Sequence, residues 1–269
     1  MASYNGLSVF LLTLITTTSC ILVSSSSAQT VPALFVFGDS LVDVGNNNHL
    51  PLSLLKADFP HNGVDYPGRK STGRFSNGRN AADFIADKLG IPTSPPYLHY
   101  INLFISCLAF PLQNIYNLGG RKFAFVGVGP IGCSPAKRNG NSAGDCEEDI
   151  NSMCTMYNEA VKSLFSSMKT DLPDMSYSFF DTYVADLEYI QNPSKYGFVE
   201  VKAACCGLGH LNAKIACTPI STYCPNRKDH LFWDFYHPTE TVSHMLSDTA
   251  FDGSPPSVNP INIRQLVGL

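Results

Sequence analysis

Short apolar runs, each closed by a glycine or an aspartate, constrain the fold of this chain most strongly. Three such runs lie at residues 33–37, 122–128 and 177–180, and their length and composition are typical of buried strands. Amphipathic helical patterns lie between and after them, at residues 81–89, 150–168 and 239–251. Strands that alternate with helices predict an α/β fold with a parallel, doubly wound sheet.

Local signals mark the ends of these helices and one long connection. Asn80 precedes the first helical pattern as a candidate N-cap, and Gly90 follows that pattern as its stop. Pro238 lies just before the last helix. Residues 58–80 are rich in Gly, Pro, Arg and Asn, which predicts a long surface loop.

The first residues of the chain have the pattern of a targeting segment. Residues 7–23 are apolar and uncharged, and residues 26–28 (SSA) supply the small side chains of a cleavage site. The pattern predicts a secretory signal over residues 1–28, followed by a single domain over residues 29–269. An uncleaved anchor is the alternative, because no Lys or Arg precedes the apolar run, but residues 16–19 (TTTS) interrupt that run.

Charge is sparse and evenly spread along the chain. Charged residues make up 15% of the sequence and the net charge is -4, with no long basic or acidic run. This balance argues against a nucleic-acid groove and against a polybasic membrane patch. The apolar stretch at residues 101–112 is too short to cross a bilayer, so we expect no membrane span after the signal. Nothing in the pattern specifies an oligomeric state.

The cysteines indicate disulfides. Nine are present, and once Cys20 has left with the signal the others are expected to pair in an oxidising compartment. Cys133 and Cys146 bracket a polar loop that a disulfide would close. The remaining six, whose pairing stays open, are Cys107, Cys154 and the group that crowds the approach to Asp234, Cys205, Cys206, Cys217 and Cys224. A zinc site that includes His210 is the disfavoured alternative, because no C-x-x-C pair is present.

Three residues from opposite ends of the chain form a candidate catalytic set. The first apolar run ends in a Gly-Asp-Ser turn, which would expose Ser40 where open α/β sheets place their sites. Asp234 and His237 lie three residues apart near the far end. A hydroxyl, an imidazole and a carboxylate can supply a nucleophile, its base and a group that orients the base. Each signal is weak alone, and their combination indicates nucleophilic catalysis.

Two glycine motifs are better explained as turns. Residues 140–144 (GNSAG) match the G-x-S-x-G pattern, but no strand precedes them. Residues 127–132 (GVGPIG) match G-x-G-x-x-G and follow a strand, yet Pro130, Cys133 and Pro135 oppose the helix that would hold a pyrophosphate. We therefore expect neither a nucleophile elbow nor a dinucleotide site at these positions.

A series of motifs runs in order from residue 31 to about residue 252. It begins with residues 36–48 (VFGDSLVDVGNNN) and continues through residues 73–79 (GRFSNGR), 116–122 (YNLGGRK), 127–133 (GVGPIGC), 192–193 (NP), 196–198 (YGF), 204–207 (ACCG) and 232–240 (FWDFYHPTE). This series resembles the plant GDSL-type esterase/lipases of the SGNH hydrolase superfamily. So many matches in one order are far more specific than any single motif.

The resemblance implies a fold, an activity and roles for the candidate residues. The fold would be a flavodoxin-like three-layer sandwich around a parallel sheet. Ser40 would be the nucleophile, His237 the base, and Asp234 the residue that orients the base. The protein would be a secreted hydrolase of acyl esters or lipids, extracellular or in the cell wall, with no metal and no organic cofactor.

The chain departs from the family at the groups that bind the oxyanion. The resemblance implies three donors: the backbone N–H of Ser40, a glycine N–H from a second block and an asparagine side chain from a G-x-N-D block. Neither block is present, and residues 97–115 span the gap where the family carries both. We therefore predict an internal deletion near residues 97–115, with the Ser40 N–H as the one donor left.

The same deletion would remove both strands that flank the first strand in the family's sheet. We therefore expect an incomplete sheet, with residues 102–110 as a candidate substitute strand. Loss of one oxyanion donor typically costs about 10²–10³ in rate. Two alternatives to an active hydrolase follow: a catalytically impaired or non-catalytic module that binds acyl ligands, and a truncated product that does not fold stably.

Overall fold

A computed structural model describes residues 31, 34–50, 53, 56–93, 95, 96 and 112–269. Its helices are α1 (Ala81–Lys88), α2 (Leu112–Asn117), α3 (Pro135–Arg138), α4 (Glu148–Asp171), α5 (Thr182–Gln191), α6 (Glu240–Asp252) and α7 (Ile263–Val267). Its strands are β1 (Lys122–Val126), β2 (Ser176–Phe180), β3 (Glu200–Ala204), β4 (Cys206–Gly207), β5 (Thr222–Tyr223), β6 (His230–Phe232) and β7 (Val258–Pro260). The predicted signal, Cys107 and the candidate substitute strand lie outside the described residues.

Short 3-10 helices connect several of these elements. They lie at Asn46–His49, Ile131–Cys133, Pro193–Tyr196 and His210–Asn212. None of the helices in the described part of the chain is long and apolar enough to cross a membrane.

The main sheet has the order β1-β2-β7. Strands β1 and β2 are parallel, with Lys122 opposite Ser176 and Val126 opposite Phe180. Strand β7 joins the other edge of β2 in the antiparallel direction, with Val258 opposite Phe180. A parallel pair with helices in its connections confirms the predicted α/β class.

Alternate side chains of β2 face two different helical layers. Phe179 stacks on Phe125 of β1, which in turn contacts Phe165 of α4. Phe180 faces the opposite side, because successive side chains of a strand alternate. There it belongs to a buried cluster that includes Ala86 of α1 and Phe251 of α6. The sheet therefore lies between two layers of helix, as the sandwich fold requires.

The predicted helices form, and their caps explain where they begin. The Asn80 side chain accepts hydrogen bonds from the first turn of α1, and Asp83 bonds back to the Asn80 N–H in a capping box. Helix α4 covers the predicted 150–168 pattern and extends it at both ends. Thr239 caps α6 by accepting a hydrogen bond from the Val242 N–H.

Two small sheets and three disulfides fix the region before the candidate histidine. Strand β3 pairs in parallel with β6, and β4 pairs in the antiparallel direction with β5. The disulfides are Cys133–Cys146, as predicted, together with Cys205–Cys224 and Cys206–Cys217, whose pairing the sequence leaves open. The expectation that Cys154 is also paired is wrong, because it is a buried free thiol on α4.

The predicted buried strand at residues 33–37 is wrong over its described part. Residues 34–38 lie outside any strand, and Phe35 and Phe37 are 80% and 76% exposed. A strand becomes buried only when neighbouring strands satisfy its backbone groups and cover its side chains. Among the described residues no strand pairs with this segment, and β1 pairs on one edge only.

The predicted surface loop at residues 58–80 is also partly wrong. It contains turns and neither helix nor strand, as expected. However, Arg74, Ser76 and Asn77 are at most 5% exposed. Buried polar side chains need hydrogen-bond partners, so this segment is held in one conformation by specific contacts.

Candidate active site

Ser40, His237 and Asp234 lie in one chain of hydrogen bonds. The Nε2 atom of His237 lies 2.6 Å from the Oγ atom of Ser40. The Nδ1 atom of the same ring lies 2.7 Å from Oδ1 of Asp234. An imidazole between a hydroxyl and a carboxylate can accept the hydroxyl proton while the carboxylate stabilises the imidazolium that forms.

Ser40 occupies a tight turn that its own neighbours close. The Asp39 carboxylate accepts a hydrogen bond from the Leu41 N–H at 3.0 Å, and the Val42 N–H donates to the Asp39 carbonyl at 3.3 Å. The turn thus presents the serine hydroxyl without a strand behind it. The Ser40 N–H makes no hydrogen bond to any residue that the structure describes.

A second turn follows at once and is closed by Asp43. Its carboxylate accepts hydrogen bonds from the backbone N–H groups of Gly45, Asn46 and Asn47. Asp43 is buried, so these bonds replace the water that the carboxylate has lost. This turn opens the 3-10 helix Asn46–His49 and fixes the chain just after Ser40.

The buried segment 73–83 holds that second turn from outside. The Nδ2 atom of Asn80 donates to the Asp43 carbonyl at 2.9 Å, and Nη1 of Arg74 lies 3.4 Å from the Val44 carbonyl oxygen. Arg74 is itself fixed by two hydrogen bonds of 2.6 Å to the carboxylate of Asp83. Ser40 is therefore positioned by the residues after it rather than by a sheet.

Asp234 and His237 lie in the loop that follows β6. Asp234 Oδ1 accepts hydrogen bonds from the backbone N–H groups of Tyr236 and His237 in addition to the imidazole. The Trp233 N–H donates to the His237 carbonyl at 2.7 Å, which closes the loop. Trp233 is fully buried against Cys205, Cys206 and Cys217, so the disulfides anchor the base of this loop.

The electrostatics of the pair favour the ionised forms. Burial alone would lower the pKa of His237, but the charge and hydrogen bond of Asp234, with a contribution from Asp39, raise it above the usual value. Burial alone would raise the pKa of Asp234, but the His237 charge and several hydrogen bonds hold it below the usual value. Asp234 therefore stays a carboxylate at neutral pH.

The sequence reasoning missed Phe75 and gave the Arg74–Asp83 pair no role. The Phe75 ring stacks on the His237 imidazole, with ring centroids 4.9 Å apart and an interplanar angle of 28°. Phe75 and Arg74 both belong to the GRFSNGR motif of residues 73–79, one of the motifs of the resemblance, and Asp83 follows it in α1. Phe75 was the available signal, because phenylalanine is more often buried than exposed and stands here in an otherwise polar segment.

No group of three or more His, Cys, Asp or Glu side chains in the described part of the chain is arranged to hold a metal ion. The motif at residues 140–144 forms a turn that no strand precedes. After the motif at residues 127–132 the chain forms only a 3-10 turn and the four residues of α3. The first motif lacks the strand that a nucleophile elbow needs, and the second lacks the helix that a dinucleotide site needs.

Comparison with known proteins identifies a family, and relatives that match this chain over most of its length and of their own. Residues 34–109 and 111–249 match the family model described as GDSL-like Lipase/Acylhydrolase. The Arabidopsis thaliana protein GDSL esterase/lipase At5g55050 is 33% identical, over 91% of this chain and 92% of the relative. Two more Arabidopsis thaliana relatives, GDSL esterase/lipase At1g71691 and GDSL esterase/lipase At5g37690, are each 30% identical, over 89% and 84% of this chain and 86% and 90% of the relatives.

The first of these alignments is longer than the chain. It runs over 345 residues, 76 more than the 269 residues present here. That relative therefore carries residues that have no counterpart in this chain. The family match is interrupted at residue 110, between its two matched segments.

Proposed function

The chain belongs to the GDSL-like lipase/acylhydrolase family, and on that premise we propose that it is a secreted serine hydrolase of acyl esters or lipids that uses Ser40, His237 and Asp234. The observation that carries the proposal is the unbroken pair of contacts on the His237 ring, 2.6 Å to Ser40 and 2.7 Å to Asp234. Both distances are short enough for direct hydrogen bonds.

The reaction proceeds in two acyl-transfer steps. Ser40 Oγ attacks the ester carbonyl while His237 Nε2 takes the hydroxyl proton, and the imidazolium then returns that proton to the departing alcohol. A water molecule next attacks the acyl-enzyme, again with His237 as the base, and releases the acid. Asp234 holds the imidazole in the tautomer with its proton on Nδ1 and stabilises the imidazolium.

The tetrahedral intermediate carries a negative oxygen that needs hydrogen-bond donors. The Ser40 N–H is the donor that we assign to it, because this group makes no bond to another described residue. We infer that the family's other two donors are missing because an internal segment near residues 97–115 is absent. The long alignment with At5g55050 and the interruption of the family match at residue 110 support this inference.

Secretion is supported by the three disulfides, because such bonds persist in oxidising compartments. The signal over residues 1–28 stays a prediction, since it lies outside the described residues. The substrate is a small acyl ester or a lipid, and the family carries the argument for that class.

A fluorophosphonate probe tests the proposed nucleophile directly, because the probe reacts with an activated serine. We expect the wild-type protein to be labelled at Ser40, as located by peptide mass spectrometry. The Ser40→Ala and His237→Ala variants should not be labelled. Labelling of the wild type without any turnover of p-nitrophenyl butyrate would identify the catalytically impaired alternative instead. Absence of labelling in a folded wild-type protein would contradict the proposed nucleophile.

A further inference from the structure

Two hydrogen bonds, one at each ring nitrogen, do not by themselves fix the plane of the His237 ring. The bonds to Ser40 and Asp234 lie at opposite edges of the imidazole, so the ring can still tilt about the line that joins its two nitrogens. A contact on the face of the ring opposes that tilt and so helps to fix its plane. Phe75 makes that contact, stacked at 4.9 Å between centroids and 28° between planes.

Phe75 is held by a rigid neighbour on its N-terminal side. Arg74 is 5% exposed and forms its bidentate bond with Asp83, which is 0% exposed. Gly73 has a φ of 90°, and a Cβ there would lie 2.5 Å from the Cα of Gly45. The backbone on which Phe75 sits is thus packed against the turn after Ser40, and only glycine fits at that contact.

The same segment also forms hydrogen bonds with the chain just after His237. The Oδ1 atom of Asn77 accepts a hydrogen bond from the Glu240 N–H at 2.9 Å. In return, Glu240 Oε1 accepts one from the Arg79 N–H at 3.2 Å. Segment 73–83 therefore contacts both halves of the site, which are 197 residues apart in the sequence.

We propose that Phe75 is a positioning residue that fixes the plane of the His237 imidazole, carried on segment 73–83 as a brace between the two halves of the site. The inference rests on the proposed function for its kinetic consequence, but the stacking itself does not depend on turnover. No strand of the described residues flanks Ser40, and the brace supplies the alignment that a sheet would otherwise provide.

Two substitutions at the same position separate stacking from simple bulk. Phe75→Leu keeps an apolar side chain and removes the ring, whereas Phe75→Tyr keeps the ring. With p-nitrophenyl butyrate, we expect Phe75→Leu to lower kcat at least about tenfold with KM within about twofold, because a small misalignment of a base costs rate rather than binding. Phe75→Tyr should stay within about threefold of the wild-type kcat.

The chain offers a matched control in another phenylalanine that contacts a histidine. Phe84 meets His244 edge to face at 4.8 Å, and among the described residues neither of them forms a hydrogen bond or ring contact with Ser40, His237 or Asp234. Phe84→Leu should lower stability while kcat stays near the wild-type value. A kcat for Phe75→Leu equal to that of the wild type, or an equal loss in Phe75→Tyr and Phe75→Leu, would overturn the proposal.

Proton NMR gives a second measurement that needs no turnover. The His237 Nδ1–H proton, assigned by its loss in His237→Asn, should give a downfield signal in the wild type and in Phe75→Tyr. It should exchange with water and broaden in Phe75→Leu, because a tilted ring weakens the bond to Asp234. An unchanged signal in Phe75→Leu would contradict the positioning role. A wild type without hydrolysis but with this pattern would contradict only the proposed function.

Discussion

Arg74 and Asp83 form a bidentate ion pair that is almost completely buried, and Arg74 also reaches the backbone of the turn that follows Ser40. The pair links α1 to the candidate nucleophile through one side chain. This contact explains how Ser40 keeps a defined position although residues 34–39, just before it, lie outside any strand. We therefore attribute the alignment of the site to side-chain contacts of segment 73–83.

Removal of one partner of that pair is expected to be severe. Arg74→Leu would leave the Asp83 carboxylate buried without its counter-charge, which typically costs about 3–5 kcal/mol. The free energy of unfolding from urea titration measures the loss. Arg264→Leu is the control, because the Arg264–Asp252 pair is about half exposed and should contribute far less. Equal losses of unfolding free energy in the two variants would contradict the stabilising role of the buried Arg74–Asp83 pair.

The pH dependence of hydrolysis should report the pKa of His237. The base must be neutral to accept the Ser40 proton, and its pKa is raised above 6.5. We therefore expect kcat/KM to fall on the acid side through a midpoint above pH 6.5. Asp234→Asn removes the charge that raises the pKa, so the midpoint should move to lower pH while kcat falls, on the order of 10³–10⁴-fold.

Asp39→Asn serves as the control for that shift. Asp39 also raises the pKa of His237, but it ranks behind Asp234 as a cause. The midpoint should move in the same direction by less, and kcat should change little compared with Asp234→Asn. A midpoint that does not respond to Asp234→Asn would show that another group controls the acid limb.

Asp186 should make the protein less stable as the pH rises. Its carboxylate is desolvated beside Gly129 although the residue keeps some exposed surface, and burial raises its pKa to about 7 from 3.8. The folded state thus binds a proton that the unfolded state releases between these values, and stability is lost across that window as pH increases. Asp186→Asn should raise the unfolding free energy at pH 8, by at most about 4 kcal/mol.

That gain must be absent at low pH. Near pH 3, Asp186 is protonated in both states, so the variant and the wild type should unfold at nearly the same urea concentration. Urea titrations at the two pH values measure the difference. A gain that is independent of pH would show that the substitution acts through packing instead of through the charge of Asp186.

The Cys206–Cys217 disulfide should contribute to stability near the site. It closes a loop with a sequence separation of 11 residues and packs against Trp233, which begins the loop that carries Asp234. Replacement of both cysteines by serine should lower the unfolding free energy by about 2–5 kcal/mol. Cys154→Ala is the control, because Cys154 is a free thiol and its substitution breaks no disulfide. Calorimetry of the wild type and the two variants measures these changes in stability.

The sequence predicted those parts of the fold that depend on local signals. Helix α1 follows from Asn80 as its N-cap and Gly90 as its stop, and the Cys133–Cys146 disulfide follows from a short polar loop between two cysteines. Residues 33–37 read as a buried strand because they are apolar. Strand formation also requires partners from elsewhere in the chain, which apolar character does not reveal.

The candidate site, too, could be predicted from the sequence only in part. The Gly-Asp-Ser turn, the Asp-x-x-His spacing and the resemblance singled out Ser40, Asp234 and His237, but the distances between them depend on contacts across 197 positions of the chain. Phe75 could not be assigned to the site from its motif, because stacking on His237 is a tertiary contact. The polar composition of residues 58–80 predicted a solvated loop, whereas Arg74 and Asp83 satisfy each other inside the protein.

Ser40, activated by His237, is proposed to attack an ester. The most direct test is to compare the initial rates of p-nitrophenyl butyrate hydrolysis by the wild type and by Ser40→Ala. Both proteins must first show the same cooperative thermal unfolding. We expect saturable hydrolysis by the wild type and a rate for Ser40→Ala that is lower by at least about 10³-fold, close to that of buffer. Equal rates for the two folded proteins would contradict this proposal.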